Sequence, residues 1–236
     1  MRLKVLLVLF LILSYSQNVG SSELHGLKIN FNTGFSYINS KDLNTVTQGM
    51  NAGYGTDFKN IHMPMLLNFA MMLDIGRSSI GIESGYEFAN RSSYSTIYNF
   101  VETINYSGVP FGLKYQYELY KAKHLAIIID AATGIMFLGF NMNNKPSIAG
   151  DEINFNSYAK AWYLTSGIGS TYYINDVVGI NASFKFRYSK SSDFRYSSDD
   201  GRHNSGDEVR FSDGSHLTMN LLGLQFLLGL VLNWSL

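Results

Sequence analysis

One pattern constrains this chain more than any other: apolar residues recur at alternate positions, opposite small and polar ones, in eight separate segments. Between Met63 and Ile75 every odd-numbered residue is apolar, and Asn68, Ala70 and Asp74 fall between them. A period of two places apolar side chains on one face of a β-strand and the remaining side chains on the opposite face. The eight segments are 27–37, 63–75, 80–88, 109–119, 125–137, 162–174, 178–188 and 222–234.

The connections between these segments also alternate in length. Three are short, at 76–78, 121–123 and 175–176, and four are long, at 39–62, 90–102, 141–156 and 189–215. Membrane-spanning barrels have short turns, with both termini, on the periplasmic side and long loops on the extracellular side. Each segment reaches the roughly 9–11 residues that a tilted membrane strand needs. The sequence therefore predicts an all-β fold, an eight-stranded antiparallel transmembrane up-and-down β-barrel.

A soluble eight-stranded barrel of the lipocalin kind would show the same alternation with its apolar face inside. Its outward face would then carry many charges to keep it soluble. Here the polar face consists mostly of Gly, Ser, Asn, Ala and Thr, and charged residues make up only 15% of the chain. Small side chains suit the narrow interior of an eight-stranded barrel, which favours the membrane interpretation.

The chain begins with the features of a secretory signal peptide. Arg2 and Lys4 precede the apolar run 5–13, which is too short to span a bilayer as a helix, since about 20 residues are needed. We expect cleavage after Ser16 or Ser21, so that residues 1–21 are the signal and 22–236 the barrel domain. The mature chain would carry a net charge of −2, which indicates no nucleic-acid partner.

The absence of cysteine excludes several kinds of chemistry. The chain can form no disulfide, carry no lipid on an N-terminal cysteine, use no catalytic thiol and bind no metal through thiolates. No cofactor is predicted.

Local stretches resemble the small outer-membrane barrel superfamily that includes the OmpA transmembrane domain, OmpX and the opacity-type proteins. They are Val109–Tyr115, Gly167–Gly169 before Tyr172, and Phe184–Tyr188. The resemblance spans roughly residues 26–236 and implies the outer membrane of a double-membraned bacterium, with outer-membrane lipid as the surroundings. The superfamily is functionally diverse, so it implies no single activity.

The C-terminus resembles the signal that the barrel-assembly machinery reads during biogenesis. That signal has apolar residues at every second position and usually closes on Phe, whereas this chain closes on Leu. The residues are Phe226, Leu228, Leu230, Leu232, Trp234 and Leu236. The resemblance implies the assembly machinery as a transient partner.

Nine charged residues fall on the polar faces of the strands and are expected in the barrel interior. Charges so far from bulk water have to be paired, and the resemblance implies that Glu83 or Asp130 faces Lys114, Lys185 or Arg187. We expect a structural plug, because side chains just fill an eight-stranded interior; an ion-selective gate is the alternative. The nine are Lys28, Asp74, Glu83, Glu87, Lys114, Glu118, Asp130, Lys185 and Arg187.

The histidines are the candidates for catalytic residues in this chain. His203 and Ser205 superficially resemble the His-x-Ser pair of lipid A deacylases, but they lie in a polar loop rather than on a lipid-facing strand. His216 has no evident acidic partner in the sequence. We therefore predict no catalytic residues.

The last long connection is acidic, but it also contains three arginines. Calcium could bind through carboxylates, yet no calcium-loop spacing is present, so a solvated surface loop and no metal site are predicted. Its acidic residues are Asp193, Asp199, Asp200, Asp207, Glu208 and Asp213, and its arginines are Arg195, Arg202 and Arg210. Eight aromatic residues near strand ends are expected to form interfacial girdles: Tyr37, Phe88, Tyr117, Phe137, Trp162, Tyr172, Tyr188 and Trp234.

The function predicted from the sequence is that of a non-enzymatic envelope scaffold. Its four extracellular loops would serve adhesion or the binding of a host factor, because loops carry function on such scaffolds. A narrow pore for small solutes and a lipid-modifying enzyme are the alternatives.

Overall fold

The computed structural model describes residues 24–39, 41–59, 61–97, 100–146, 153–198, 203–210 and 214–235. The predicted signal peptide, residues 1–21, and the C-terminal Leu236 lie outside the described residues.

Eight long antiparallel strands form one closed barrel. Each strand pairs with its neighbour along the chain, and β1 pairs with β8 from Gly26–Ser235 to Asn39–Leu222 to close the cylinder. The predicted eight-stranded up-and-down barrel is therefore confirmed. The strands are β1 (Leu24–Asn39), β2 (Met65–Ile75), β3 (Ser78–Ser95), β4 (Phe100–Lys121), β5 (Leu125–Pro146), β6 (Ile153–Tyr173), β7 (Val178–Ser191) and β8 (Asn220–Ser235).

A belt of large apolar side chains covers the outside of the barrel. Met65, Phe111 and Leu228 are 53%, 55% and 63% exposed, whereas the interior faces of the same strands bury polar side chains, Asn68, Lys114 and Gln225, among small and apolar ones. Such a surface is stable against lipid and not against water. Among the described residues, no helix is long and apolar enough to span a membrane.

All eight of the aromatic residues predicted to form girdles lie on the outward face of their strands. Tyr37, Phe137 and Trp162 lie towards one end of the belt, and Tyr172 and Trp234 lie towards the other. We call the end with the three short connections the turn end and the opposite end the loop end.

Strands β3 to β6 continue well beyond the belt at the loop end, which corrects two of the predicted long loops. The segments expected as loops at 90–102 and 141–156 are mostly strand, because β3 runs to Ser95, β4 begins at Phe100, β5 runs to Pro146 and β6 begins at Ile153. In this extension the polarity of the two faces is reversed: Asn105 and Asn141 face outward, while Ile104 and Phe140 are fully buried inside. The outer surface there meets water instead of lipid. Outward residues in this extension are therefore polar, and the alternation of apolar residues in the sequence stops before the strands do.

The first long connection contains a helix that was not predicted, α1 (Lys41–Tyr54). The side chain of Asn51 closes its end, because the Asn51 Oδ1 accepts hydrogen bonds from the Phe58 amide at 2.7 Å and the Thr56 hydroxyl at 2.8 Å. The segment after the helix docks on β3, where the Asp57 amide donates to the Ser93 hydroxyl at 2.8 Å, and just past the end of that strand the Thr96 hydroxyl donates to the Gly55 carbonyl at 3.0 Å. These local contacts follow no period, which is why the sequence showed only a loop.

The seam between β1 and β8 combines a close backbone approach with packed aromatic rings. A Cβ atom at Gly34 would lie 1.8 Å from the Phe226 carbonyl oxygen, so only glycine fits there. On the outer face, the ring of Phe226 packs against Phe184 at 4.8 Å and Phe35 at 5.6 Å between centroids. The register between β1 and β8 continues without a bulge along this seam.

Candidate functional site

Four charged side chains from four strands meet in the middle of the barrel. The Lys114 Nζ lies 3.4 Å from the Glu83 Oε2 and 3.5 Å from the Asp130 Oδ2, and the Lys185 Nζ lies 2.6 Å from that same Asp130 oxygen. Each side chain is at most 5% exposed. Two cations thus balance two anions in a space that water hardly reaches.

A second pair lies beside this group and joins the two halves of the chain. The Arg187 guanidinium donates to the Glu87 carboxylate, across 100 residues of sequence, and its Nη2 lies 3.3 Å from the Met136 sulfur. Both charged side chains are nearly inaccessible to solvent, at 3% and 1% exposure. This pair is buried as completely as the central group.

A third group closes the interior near the turn end. The Lys28 Nζ contacts the Asp74 Oδ1 at 3.2 Å and the Glu118 Oε1 at 3.9 Å, and it donates to the Ser79 hydroxyl at 3.1 Å. All nine of the charged residues expected in the interior therefore lie there, and each has a partner of opposite charge. We call these nine residues the lumenal charge network.

Tyr163 connects the network to the layer above it. Its hydroxyl donates to the Glu83 Oε1 at 3.1 Å. The phenol fits because Gly112 leaves space beside it: a Cβ at Gly112 would lie 2.6 Å from the Tyr163 oxygen. A cavity of about 20 Å³ beside Glu83, Lys185 and Tyr163 has room for roughly one water molecule.

An apolar layer fills the loop end of the barrel above the network. Side chains from the extended strands pack there with side chains contributed by the first and last long connections. The strands contribute Ile38, Ile104, Tyr106, Leu138 and Phe140, and the connections contribute Phe58, Ile61, Phe194, Val209, Leu217 and Met219. The two long connections therefore fold into the mouth of the barrel. We call residues 41–59, 61–64, 192–198, 203–210 and 214–219, together with the extended parts of β3 to β6, the cap.

Three segments of the last connection are joined by a hydrogen-bonded triangle. The Phe194 amide donates to the Leu217 carbonyl at 2.9 Å, the Leu217 amide to the Val209 carbonyl at 2.9 Å, and the Val209 amide to the Phe194 carbonyl at 2.8 Å. All three side chains are buried. The segment expected to be a solvated loop is thus fixed at this point by backbone bonds and apolar packing.

The residues directly before each corner of this triangle gather on its outer side. The His216 Nδ1 lies 3.3 Å from the Glu208 Oε2 and 3.5 Å from the Asp193 Oδ2. The expectation that His216 has no acidic partner is therefore wrong. The sequence did not show the partner, because Asp193 lies 23 residues away and only the triangle brings it near His216. We call these residues the Asp193–Glu208–His216 cluster.

Two arginines hold the carboxylate of Glu208 in this cluster. The Arg210 Nη2 donates to the Glu208 Oε2 at 3.0 Å, and the Arg195 Nη2 lies 3.5 Å from its Oε1. The hydrogen bond from Arg210, with smaller contributions from the charges of His216 and Arg195, holds the pKa of Glu208 below its ordinary value. Glu208 is therefore ionised at neutral pH.

Known structures share this architecture. A major outer membrane protein from Thermus thermophilus superposes with a TM-score of 0.53 at 9% identity, over 90% of this chain and 100% of that one. The fold is that of the small outer-membrane β-barrels. A weaker likeness is to the attachment invasion locus protein Ail of Yersinia pestis, with a TM-score of 0.43 at 11% identity over 91% of this chain and 100% of that one. Another is to the outer membrane protease OmpT of Escherichia coli, with a TM-score of 0.44 at 9% identity over 92% of this chain and 99% of that one. No protein-family model matches the chain, and no curated protein matches its sequence.

His203 and Ser205, the pair that resembles a catalytic His-x-Ser, serve the packing of the last connection of this barrel. The His203 ring stacks on Tyr196 with centroids 4.2 Å apart and an angle of 7° between the planes. The Ser205 hydroxyl donates to the Ser197 carbonyl at 3.3 Å. Both residues lie in the cap, on the water side of the aromatic residues that border the apolar belt.

The apolar residues of the expected assembly signal lie on the outside of the last strand. Phe226, Leu228, Leu230, Leu232 and Trp234 alternate along β8 and face outward. Leu236, the last residue of the expected assembly signal, lies outside the described residues.

Sequence reasoning missed two features of the loop end of this barrel. The apolar layer could have been found from Ile104, Tyr106, Leu138 and Phe140, which continue the inward positions of β4 and β5 past the belt. The Asp193–Glu208–His216 cluster left no signal of its own, because its members are irregularly spaced in a loop.

Proposed function

We propose that this protein is a non-enzymatic outer-membrane anchor whose cap is displayed at the cell surface and binds an extracellular ligand. In this proposal the turn end and both termini face the periplasm and the loop end faces outward, as in barrels with short periplasmic turns and long external loops. The observation that carries the proposal is the combination of a filled interior with a folded cap.

The filled interior favours an anchor over a pore. Residues that line a water-filled channel are accessible to water along its length, whereas the central lumenal side chains Lys114, Lys185 and Arg187 are only 1–3% exposed. The apolar layer above them adds a second barrier, because moving an ion past buried hydrocarbon carries a large desolvation cost. A solute would have to displace both layers to pass.

The folded cap favours ligand binding at the surface. An open groove of about 450 Å³ lies in the last connection and is lined by Arg195, His203, Gly206, Asp207, Glu208 and Arg210. The groove offers two guanidinium groups, an imidazole and two carboxylates. A polar ligand group could be held there with a reduced loss of conformational entropy, because backbone hydrogen bonds already join the described segments at Phe194, Val209 and Leu217.

The position of the cap on the water side of the belt disfavours the lipid-modifying alternative. An enzyme acting on acyl chains or on the lipid headgroup region needs its reactive groups at the membrane boundary. His203 and Ser205 lie in the last connection beyond the extended strands, and both are used in packing.

The proposal is tested with a heterologous double-membraned host that produces the full chain. Cells are counted after adherence to immobilised matrix proteins and to epithelial monolayers, and the groove variant R195A/R210A is compared with the matched control variant K160A/K190A. Lys160 and Lys190 are exposed on β6 and β7 and do not line the groove. A heat-modifiable gel shift verifies that each variant is folded.

We expect producing cells to adhere at least about 10-fold better than the host alone, and the groove variant to lose most of this gain. Adherence that equals the host's on every surface, or that survives in R195A/R210A as in K160A/K190A, would contradict the proposal.

A further inference from the structure

We propose that the Asp193–Glu208–His216 cluster binds one divalent transition-metal ion of the zinc class. This inference does not depend on the ligand-binding role of the cap, because it concerns three donor atoms on the outer side of the hydrogen-bonded triangle.

The donor set fits such an ion. One imidazole nitrogen and two carboxylate oxygens, all within 4.8 Å of one another, form the cluster. Three protein ligands with a fourth position open to water or to a ligand are typical of zinc sites that interact with another molecule. Ca²⁺ takes six to eight oxygen ligands, so a site with a central imidazole does not suit it.

The spacing of the donors also fits. With zinc bonds of about 2.0–2.1 Å, two ligand atoms of a tetrahedral site are roughly 3.3–3.4 Å apart. The His216 Nδ1 lies 3.3 Å from the Glu208 Oε2 and 3.5 Å from the Asp193 Oδ2. The ion could enter with changes of only a few tenths of an ångström in these two separations, while the two carboxylate oxygens, within 4.8 Å of each other, would close on it.

An independent observation is the state of the His216 nitrogen itself. Its Nδ1 is shielded from solvent, although the residue is part-exposed, and neither carboxylate contact gives it a hydrogen bond of acceptable geometry. A shielded polar atom without a partner is unfavourable. A bound cation would satisfy this nitrogen and at the same time balance the charge of the facing Asp193 carboxylate.

The surroundings hold the donors in place. The hydrogen-bonded triangle of Phe194, Val209 and Leu217 fixes the three segments that carry them, and Arg210 orients the Glu208 carboxylate by its hydrogen bond. Groups that orient ligands in this way raise the affinity of metal sites. Because the three donors come from three segments, a bound ion would link these segments above the apolar layer.

The test is isothermal titration of the full chain, purified in detergent with a tag that contains no histidine, with ZnCl₂ and separately with CaCl₂. We expect one Zn²⁺ per chain, no Ca²⁺ binding, and a higher melting temperature of the cap in Zn²⁺. The variant H216A should lose at least about 10-fold in Zn²⁺ affinity, and so should D193N, which keeps the shape of the side chain. The control H124A removes an exposed histidine at the turn end, outside the cap, and should bind as the wild type does.

The proposal is overturned if the wild type binds no Zn²⁺, if it binds Ca²⁺ alone, or if H216A and D193N bind Zn²⁺ as tightly as the wild type. Because H216A could loosen the loop, D193N with an unchanged gel shift decides the outcome. These measurements are made without any adhesion ligand, so their result is separate from that of the adherence assay.

Discussion

Breaking the buried pair between Arg187 and Glu87 tests whether the barrel interior is dry. In the variant R187M, the Glu87 carboxylate would stay in a position where its side chain is 1% exposed. Among the described residues, no ion pair places another cation within 4 Å of it. Removing one partner of a buried pair costs about 3–5 kcal/mol, because the other charge is left uncompensated.

The same reasoning predicts the outcome for the opposite change and for the double variant. E87L should cost a similar amount, because it leaves the guanidinium unpaired. The double variant E87L/R187M should be between neutral and about 4 kcal/mol more stable than the wild type, since apolar replacements of buried ion pairs remove the desolvation penalty. The coupling between the two positions should therefore be at least about 6 kcal/mol, the sum of the two single costs.

The free energy of unfolding is measured by urea titration of the barrel in lipid vesicles, with the fluorescence of Trp162 and Trp234 as the signal. Both tryptophans lie on the outer face and report on the loss of lipid contact. The control is K121M, because Lys121 is 63% exposed in its pair with Glu118 and exposed pairs contribute about 0–1 kcal/mol. If R187M and E87L each cost no more than K121M, water reaches the pair and the filled interior is refuted.

Three further variants probe the seam, the network and the cap. G34A should abolish the heat-modifiable folded band, because its Cβ would lie 1.8 Å from a carbonyl oxygen of β8, whereas G49A in α1, with nothing within 4 Å, should fold and gain up to about 1 kcal/mol. Y163F should lower the free energy of unfolding by about 1.5–3 kcal/mol, since its hydroxyl donates to the Glu83 carboxylate; an unchanged urea midpoint would contradict this. F194A removes a fully buried ring from the apolar layer, so we expect a loss of about 3–5 kcal/mol and rapid proteolysis of the last connection, and resistance equal to the wild type would count against the packed cap.

The barrel was predictable from the sequence because lipid outside and a filled interior both impose a period of two. Met65, Phe111 and Leu228 had to face lipid, so their neighbours had to face inward. This parity also placed the nine charged residues of the lumenal charge network inside. The alternation could not predict which of these charges form ion pairs with each other. The pairing of Arg187 with Glu87, 100 residues apart, depends on how all the strands are staggered.

The cap was not predictable for two physical reasons. Beyond the belt, the surroundings of the outer surface change from lipid to water. The polar Asn105 therefore faces outward and the apolar Ile104 inward, the reverse of the arrangement within the membrane. Within the last connection, the hydrogen-bonded triangle joins residues at irregular separations, which produces no repeat. The neighbours of His216 therefore become apparent only in three dimensions.

Conductance in planar lipid bilayers tests the closed interior most directly. The purified full chain, inserted at a density verified by the heat-modifiable gel shift, should give no stepwise openings, because the lumenal charge network and the apolar layer both block the lumen. Stable openings in the wild type, with a size or ion selectivity that changes in K114M, would contradict a closed anchor and would identify the network as the wall of a pore.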